Sequence, residues 1–153
     1  MCPTELISFS ERLDEFRAEG CEVAGVSVDS PYAHLAWLNT PRQQGGIEGV
    51  RYPLISDMTH KIGRDYGVYH EPTGVNMRGM FLIDPHRILR AQVIHENSIG
   101  RSVDEALRVV RAAVHTDKTQ DLCPAGWNPG METIDPSCPH TFFQKKRDKD
   151  FTL

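Results

Sequence analysis

The sequence predicts an α/β layer architecture, and three observations lead to that prediction. Apolar residues at helical spacing alternate with short apolar runs that predict buried strands. Near residue 84 a brief turn joins two such runs, which is typical of a hairpin. A last helix then begins at a capping box. Helices that alternate with buried strands indicate layered α/β packing.

The first half of the chain alternates helix, strand and helix. Apolar residues recur at helical spacing over Thr4–Gly20, where the terminal glycine provides a stop. Residues 22–28 are mostly apolar and predict a buried strand. Pro31 begins a second helix, which Thr40-Pro41 interrupts. A loop is expected over residues 43–50.

The second half begins with a short apolar run over Tyr52–Ile55 and a short helix over Thr59–Tyr66. Met80–Ile83 is apolar throughout, which predicts a strand that is buried on both faces. A turn over residues 84–87 leads into a second strand over Ile88–His95. The pair is predicted to be antiparallel, because so brief a connection cannot hold a parallel crossover.

A capping box begins the last helix and an irregular segment follows it. Ser102 and Glu105 have the spacing for reciprocal hydrogen bonds to first-turn amides. The apolar stripe that should dock on the sheet consists of Val103, Leu107, Val110 and Val114. After about Thr116, four prolines and little periodicity predict an arm. We expect a domain over residues 1–116 and an arm over residues 117–153.

Composition narrows the classes of function. The 153 residues are 39% apolar, which is enough for one globular domain with a real core. A formal net charge of −4 argues against general binding of nucleic acid, which normally requires a basic face. No apolar run approaches the roughly 20 residues that cross a bilayer, so no membrane partner is expected. No phosphate-binding loop is evident, so no nucleotide cofactor is expected.

Four cysteines set the redox expectations: Cys2, Cys21, Cys123 and Cys138. The chain is long for a disulfide scaffold and shows no secretory signal, which favours a reduced, cytoplasmic setting. The closest metal-like cluster, Cys138-Pro139-His140, lacks ligand spacing, so no metal is expected. Cys21 precedes a predicted strand and is interpreted as an inert core residue.

Cys2 is the first candidate for chemistry. The sequence Cys2-Pro3-Thr4-Glu5 places its sulfur at a helix N-cap, because proline suits the first helical position. Unpaired backbone N–H groups and the positive end of the helix dipole lower the pKa of a thiol there. The alternative is a terminal thiol without a role. Because the charge of Glu5 opposes ionisation of Cys2, we expect a cation nearby.

Several stretches together resemble a typical two-cysteine peroxiredoxin. They are Met1–Glu5, Asp29–Trp37, Arg78–Pro85, Gly100–Arg108 and Cys123–Trp127. The resemblance implies a thioredoxin-like fold of the peroxiredoxin type with a C-terminal arm. In that family the reactive cysteine closes a Pro-x-x-x-Thr-x-x-Cys motif after a buried strand. Only Met1 precedes Cys2 here, so we expect a chain that lacks the N-terminal strands of this fold.

The resemblance also implies an activity and a set of roles. Cys2 would reduce hydrogen peroxide and organic hydroperoxides. Arg78 would stabilise its thiolate, and Arg101 would tie Glu5 into the site. Cys123 of a second subunit would resolve the oxidised cysteine as an intersubunit disulfide, which thioredoxin or a similar dithiol would reduce. The implied assembly is a homodimer or a ring of dimers, and no cofactor is needed.

Alternatives remain open for these roles and for the whole chain. Arg78 is otherwise a solvated arginine, Arg101 a helix-start residue, and Cys123 a tail cysteine packed beside Trp127. The chain itself is alternatively a noncatalytic or chaperone-like assembly protein. A further alternative is an inactive fragment that lacks the upstream Pro-x-x-x-Thr part of the active site.

Overall fold

A computed structural model describes residues 2–146, and it has the mixed helix and strand content that the sequence predicts. The helices are α1 (Pro3–Glu11), α2 (Leu13–Ala18), α3 (Pro31–Leu38), α4 (Lys61–Asp65), α5 (Val103–Thr119) and α6 (His140–Gln144), with a 3-10 turn at Arg42–Gln44. The strands are β1 (Gly25–Ser27), β2 (Leu54–Ser56), β3 (Tyr69–His70), β4 (Val75–Asn76), β5 (Arg78–Ile83) and β6 (Leu89–His95).

The first predicted helix is interrupted at Arg12, so the prediction of one continuous helix to Gly20 is wrong. Arg12 leaves the helical region with φ −102° and ψ 14°. Next to the break, the guanidinium of Arg51 donates to the backbone carbonyl of Ser10 at 2.9 Å. The Arg51 backbone N–H also donates to the Ser10 hydroxyl at 3.0 Å. These bonds from a distant segment hold the chain in place where α1 ends and α2 begins.

The segment from β1 to α3 matches its prediction except in the length and burial of the strand. β1 covers three residues, is only partly buried at Val26, and pairs in parallel with β2. α3 begins at Pro31, and the hydroxyl of Ser30 accepts a hydrogen bond from the Ala33 N–H at 3.1 Å. This N-cap satisfies one of the free amides of the first turn.

The predicted antiparallel hairpin is confirmed. β5 pairs with β6 from Arg78 opposite His95 onward. The carboxylate of Asp84 closes the turn by accepting the N–H groups of His86 and Ile88, each at 2.9 Å. The predicted burial of β5 on both faces is wrong, since Ile83 is 46% exposed. Within residues 2–146 the hairpin forms a sheet of two strands, so the outer edge of each strand is not paired with another strand.

The core of the first compact unit, residues 1–104, lies beneath α1 and α2. Its buried members are Leu6, Leu13, Ile47 and Tyr52. Each such side chain contributes roughly 1.5–3 kcal/mol to the free energy of folding by leaving water. The Tyr52 hydroxyl donates to the Leu6 carbonyl at 3.0 Å, so the core also fixes α1 by a hydrogen bond.

The second compact unit, residues 105–153, combines most of α5 with the predicted arm. Trp127 is buried, packs against His115 with ring centroids 4.8 Å apart, and accepts a hydrogen bond from Arg108 at its carbonyl. Leu122 and Ile134 form an isolated antiparallel bridge. The part of the arm over residues 147–153 lies outside the described residues, and the predicted domain boundary near residue 116 stays a prediction.

A search of the described helices finds none with both the length and the apolar character required to cross a membrane.

The loop after α3 generates a stability prediction. A Cβ on Gly46 would overlap the Thr40 carbonyl oxygen, whereas a Cβ on Gly45 would have open space around it but would require a φ of +80°. We expect Gly46→Ala to lower the free energy of unfolding by about 3 kcal/mol through overpacking, and Gly45→Ala by about 1 kcal/mol through backbone strain. Urea unfolding followed by tryptophan fluorescence measures both. An equal or smaller effect of Gly46→Ala would contradict the close approach.

Candidate active site

Cys2 occupies the N-cap of α1, as the sequence predicts. Its backbone is extended, with φ −96° and ψ 123°, and Pro3 is the first helical residue. The Leu6 N–H donates to the Cys2 carbonyl at 3.3 Å, which is the first helical hydrogen bond. The sulfur therefore lies where the first-turn N–H groups and the helix dipole favour negative charge.

A hydroxyl contacts this sulfur. Thr4 Oγ1 lies 3.0 Å from Cys2 Sγ, and the pair is accessible to solvent. Thr4 is absent from the site residues that the sequence predicts. The sequence signal that could have identified Thr4 is its position in the first turn of a predicted helix, two residues after the cysteine.

Glu5 is the most enclosed charged group of the site. Its carboxylate is 6% exposed and accepts hydrogen bonds from two arginines. Arg101 donates its backbone N–H at 2.7 Å and its Nε at 3.0 Å, and Arg78 donates its Nη1 at 2.6 Å. Burial raises the pKa of Glu5, but the donors of Arg101 and Arg78 lower it by more, to about 2. Glu5 is therefore ionised at neutral pH.

The two arginines are held by backbone carbonyls as well. Arg78 stands at the start of β5 and donates its Nε to the Asn97 carbonyl at 2.8 Å. Arg101 donates to the Gly79 carbonyl. Because each guanidinium is fixed at two points, its direction does not depend on the sulfur. The structure thus groups Glu5, Arg78 and Arg101 at the helix start that bears Cys2, which is the grouping that the resemblance implies, and their roles stay predictions.

The cysteine pKa follows from these contacts. The Thr4 hydroxyl lowers the pKa of Cys2 most, and partial burial raises it. A hydrogen bond from Arg78 and the first-turn N–H groups of Thr4 and Glu5 lower it further, so that the pKa falls from 9.0 to about 7. About half of the Cys2 side chains are then thiolates at neutral pH, which makes this sulfur a nucleophile.

The other three cysteines differ from Cys2. Burial raises the pKa of Cys21, and it also raises the pKa of Cys123 despite the nearby charge of Arg108. Cys123 is partly buried and Cys138 is exposed. Both Cys21 and Cys123 therefore stay protonated at neutral pH in this conformation.

A cleft of about 370 Å³ lies between α1 and the segment before α5 and includes Glu5 and Arg101 in its lining. Thr4 and Ser8 line it from successive turns of the helix, and an ion pair between Arg12 and Asp104 lies at its side. No group of three histidine, cysteine or acidic side chains over residues 2–146 is arranged to hold a metal ion.

The helices and short strands, with a cysteine at a helix start, match solved structures of the thioredoxin-like α/β class. The AhpC/TSA family model matches residues 1–92, and the model of the C-terminal domain of 1-Cys peroxiredoxin matches residues 114–140. The chain therefore belongs to the peroxiredoxins of the AhpC/TSA family. This assignment confirms the resemblance and the fold that the sequence predicts.

Individual relatives agree with this assignment. The chain is 53% identical to peroxiredoxin-4 of Homo sapiens over 147 residues, which is 95% of this chain and 54% of that protein. The reduced 2-Cys peroxiredoxin of Plasmodium vivax has a TM-score of 0.87 at 42% identity, covering 90% of this chain and 70% of that one. A Plasmodium yoelii Prx1a, modified at its N-terminus and forming an artifactual octamer, has a TM-score of 0.73 at 41% identity, with coverage of 84% and 73%. The chain spans about half the length of the peroxiredoxin-4 relatives.

The lowered pKa predicts selective labelling of Cys2. Because only the thiolate reacts with iodoacetamide, the labelling rate of Cys2 should rise with pH around a midpoint near 7. Cys21 in the same protein serves as the internal control and should need a higher pH. Mass spectrometry of the two peptides after short labelling pulses gives both curves. Coincident curves would contradict a special environment at Cys2.

The buried carboxylate predicts a pH-dependent stability. The pKa of Glu5 is depressed, so its stabilisation is full above the pKa of the unfolded chain and is lost as the pH falls from 4.5 to about 2. We expect Glu5→Gln to lower the free energy of unfolding by about 3 kcal/mol at pH 7 and to abolish this part of the acid dependence. Urea unfolding at several pH values measures the effect.

Glu11→Gln is the matched control for this prediction. Glu11 lies on the same helix and pairs with Arg42 at 2.7 Å, but its side chain is 59% exposed. An exposed ion pair of this kind contributes at most about 1 kcal/mol. Equal losses for the two variants would show that the Glu5 pair is no stronger than a surface pair.

Proposed function

We propose that this chain reduces hydroperoxides through Cys2. The observation that carries the proposal is a partly ionised sulfur at a helix start, with the Thr4 hydroxyl 3.0 Å away and the Arg78 guanidinium among the groups that lower its pKa. A thiolate at neutral pH is the nucleophile that the peroxide O–O bond requires. Membership in the peroxiredoxin family supports the same reaction.

The first step is a displacement at oxygen. The Cys2 thiolate attacks one peroxide oxygen, a sulfur–oxygen bond forms and the O–O bond breaks. Sulfur is oxidised to a sulfenic acid, and the departing oxygen takes a proton and leaves as water or an alcohol. Arg78 carries N–H donors beside the sulfur, and these donors suit the charge that develops on the departing oxygen.

Glu5 and Arg101 act through Arg78 in this proposal. The Glu5 carboxylate holds Arg78 Nη1 at 2.6 Å, and Arg101 holds Glu5. This arrangement fixes the direction of the Arg78 guanidinium, and the negative charge of Glu5 partly offsets its positive charge. The Thr4 and Arg78 donors lower the Cys2 pKa to about 7, and partial burial of the sulfur is the cause that opposes them.

Resolution and recycling form the second half of the proposal. The Cys123 thiol of a second subunit condenses with the sulfenic acid, forming a disulfide and releasing water. Thioredoxin or a similar dithiol then reduces the disulfide by exchange. We propose a homodimer or a ring of dimers as the working assembly, in a reducing cytoplasmic compartment. The support is the cysteine in the predicted arm and the family membership.

The test is peroxide consumption by the purified chain with thioredoxin, thioredoxin reductase and NADPH. We expect Cys2→Ser to reduce turnover to background, because serine has no thiolate to offer. Cys138→Ser removes an exposed thiol outside the site and is the matched control that should keep full turnover. Turnover unchanged by Cys2→Ser would overturn the proposal. Protection of unfolded proteins without peroxide turnover would favour the assembly alternative.

A second variant separates the two cysteine roles. Cys123→Ser should still consume one equivalent of peroxide in a single turnover, because Cys2 is intact. It should lose the disulfide-linked dimer on a nonreducing gel after oxidation. A linked dimer that persists in Cys123→Ser would remove this residue from the resolving role.

A further inference from the structure

The Thr4 hydroxyl lies 3.0 Å from the Cys2 sulfur, and the chemistry of the pair is asymmetric. A thiol can donate to the hydroxyl or accept from it, whereas a thiolate has no proton and can only accept. A hydroxyl that donates to sulfur therefore favours the thiolate over the thiol. Charge on the acceptor also makes the hydrogen bond stronger.

The Thr4 hydroxyl differs from the charged groups around the Cys2 sulfur, because it is an uncharged donor. Arg78 reaches the site from β5, Glu5 from α1, and Arg101 from the segment before α5. Arg78 is shared with the Glu5 carboxylate at 2.6 Å, and Arg101 donates to the same carboxylate. Glu5 therefore offsets part of the positive charge near sulfur. Thr4 adds a donor that Glu5 does not engage.

The position of Thr4 restricts its side chain. Cys2 is the N-cap and Pro3 the first helical residue, so Thr4 is the second residue of a nine-residue helix. A β-branched residue has few χ1 rotamers in a helix, so its hydroxyl loses little freedom by pointing at the sulfur. Thr4 is exposed, however, and water competes for both atoms. The expected effect is a moderate one.

We propose that Thr4 is a positioning residue for Cys2, whose hydroxyl donates to the sulfur and holds it as an oriented thiolate before peroxide attack. This inference rests on the proposed function, in which Cys2 is the reacting group. Thr4 itself forms no bond to peroxide and accepts no electrons. It acts on the nucleophile alone.

The experiment compares Thr4→Val, Thr4→Ala and Thr4→Ser with the unchanged chain. The rate of Cys2 alkylation is measured against pH, and the rate of the first oxidation by hydrogen peroxide is measured separately. Valine keeps the branched shape without the hydroxyl, alanine removes both, and serine keeps the hydroxyl. Circular dichroism and thermal unfolding identify any variant that has lost its fold.

We expect Thr4→Val and Thr4→Ala to raise the alkylation midpoint by about 0.5–1 pH unit, which slows labelling at pH 7 by about two- to fivefold. The first oxidation at pH 7 should slow by a similar factor. Thr4→Ser should stay within about twofold of the unchanged chain, because it retains the donor. Thr141→Val removes an exposed hydroxyl in the first turn of α6, outside the site, and should change neither rate.

Two results would overturn the inference. One is an alkylation midpoint in Thr4→Val and Thr4→Ala equal to that of the unchanged chain. The other is a shift in Thr4→Ser as large as in Thr4→Val, which would assign the effect to helix geometry. Alkylation needs no peroxide, so its outcome is independent of turnover. If the unchanged chain consumed no peroxide while Thr4→Val and Thr4→Ala still shifted the alkylation midpoint, the proposed function alone would be overturned.

Discussion

The carboxylate of Glu5 is the point on which the site depends. It lies in the first turn of α1 and accepts hydrogen bonds from Arg78 at the start of β5 and from Arg101 ahead of α5. Three segments distant in sequence are thereby fixed around one buried charge. Removing that charge would leave two partly buried guanidinium groups without their shared partner, which is costly in a poorly solvated position. The same ion-pair cluster supports the fold and aims the donors of the site.

Two anions, the Cys2 thiolate and the Glu5 carboxylate, share the guanidinium of Arg78. The Arg78 guanidinium favours the thiolate and also pairs with the Glu5 carboxylate, while partial burial of the sulfur opposes its ionisation. First-turn N–H groups and the Thr4 hydroxyl complete the stabilisation without adding charge. The resulting pKa of about 7 suits a nucleophile, because a thiolate with a much lower pKa is present in greater amount but attacks less readily.

Local sequence patterns predict the parts of this structure that depend on neighbouring residues. The N-cap at Cys2, the start of α3 at Pro31 and the hairpin at Asp84 follow from proline positions and a short turn. The break at Arg12 does not, because the hydrogen bonds beside it join Ser10 to Arg51, which is 41 residues further along the chain. The exposure of β5 depends on which strands pair with it. The grouping of Glu5, Arg78 and Arg101 came from family resemblance, since their spacing in sequence carries no periodicity.

The attachment of Cys2 to its helix has a consequence for movement. Pro3 has no N–H, and the backbone link from Cys2 into α1 is the 3.3 Å bond from Leu6. Helix ends with so few bonds fray readily, on a timescale much shorter than unfolding of the domain. Glu5 in the same turn is held by Arg78 and Arg101, and Leu6 and Leu13 are packed in the core, so an opening that moves the sulfur need involve only the residues before Glu5. In the proposed cycle, such an opening would present Cys2 to a second thiol without unfolding of the core.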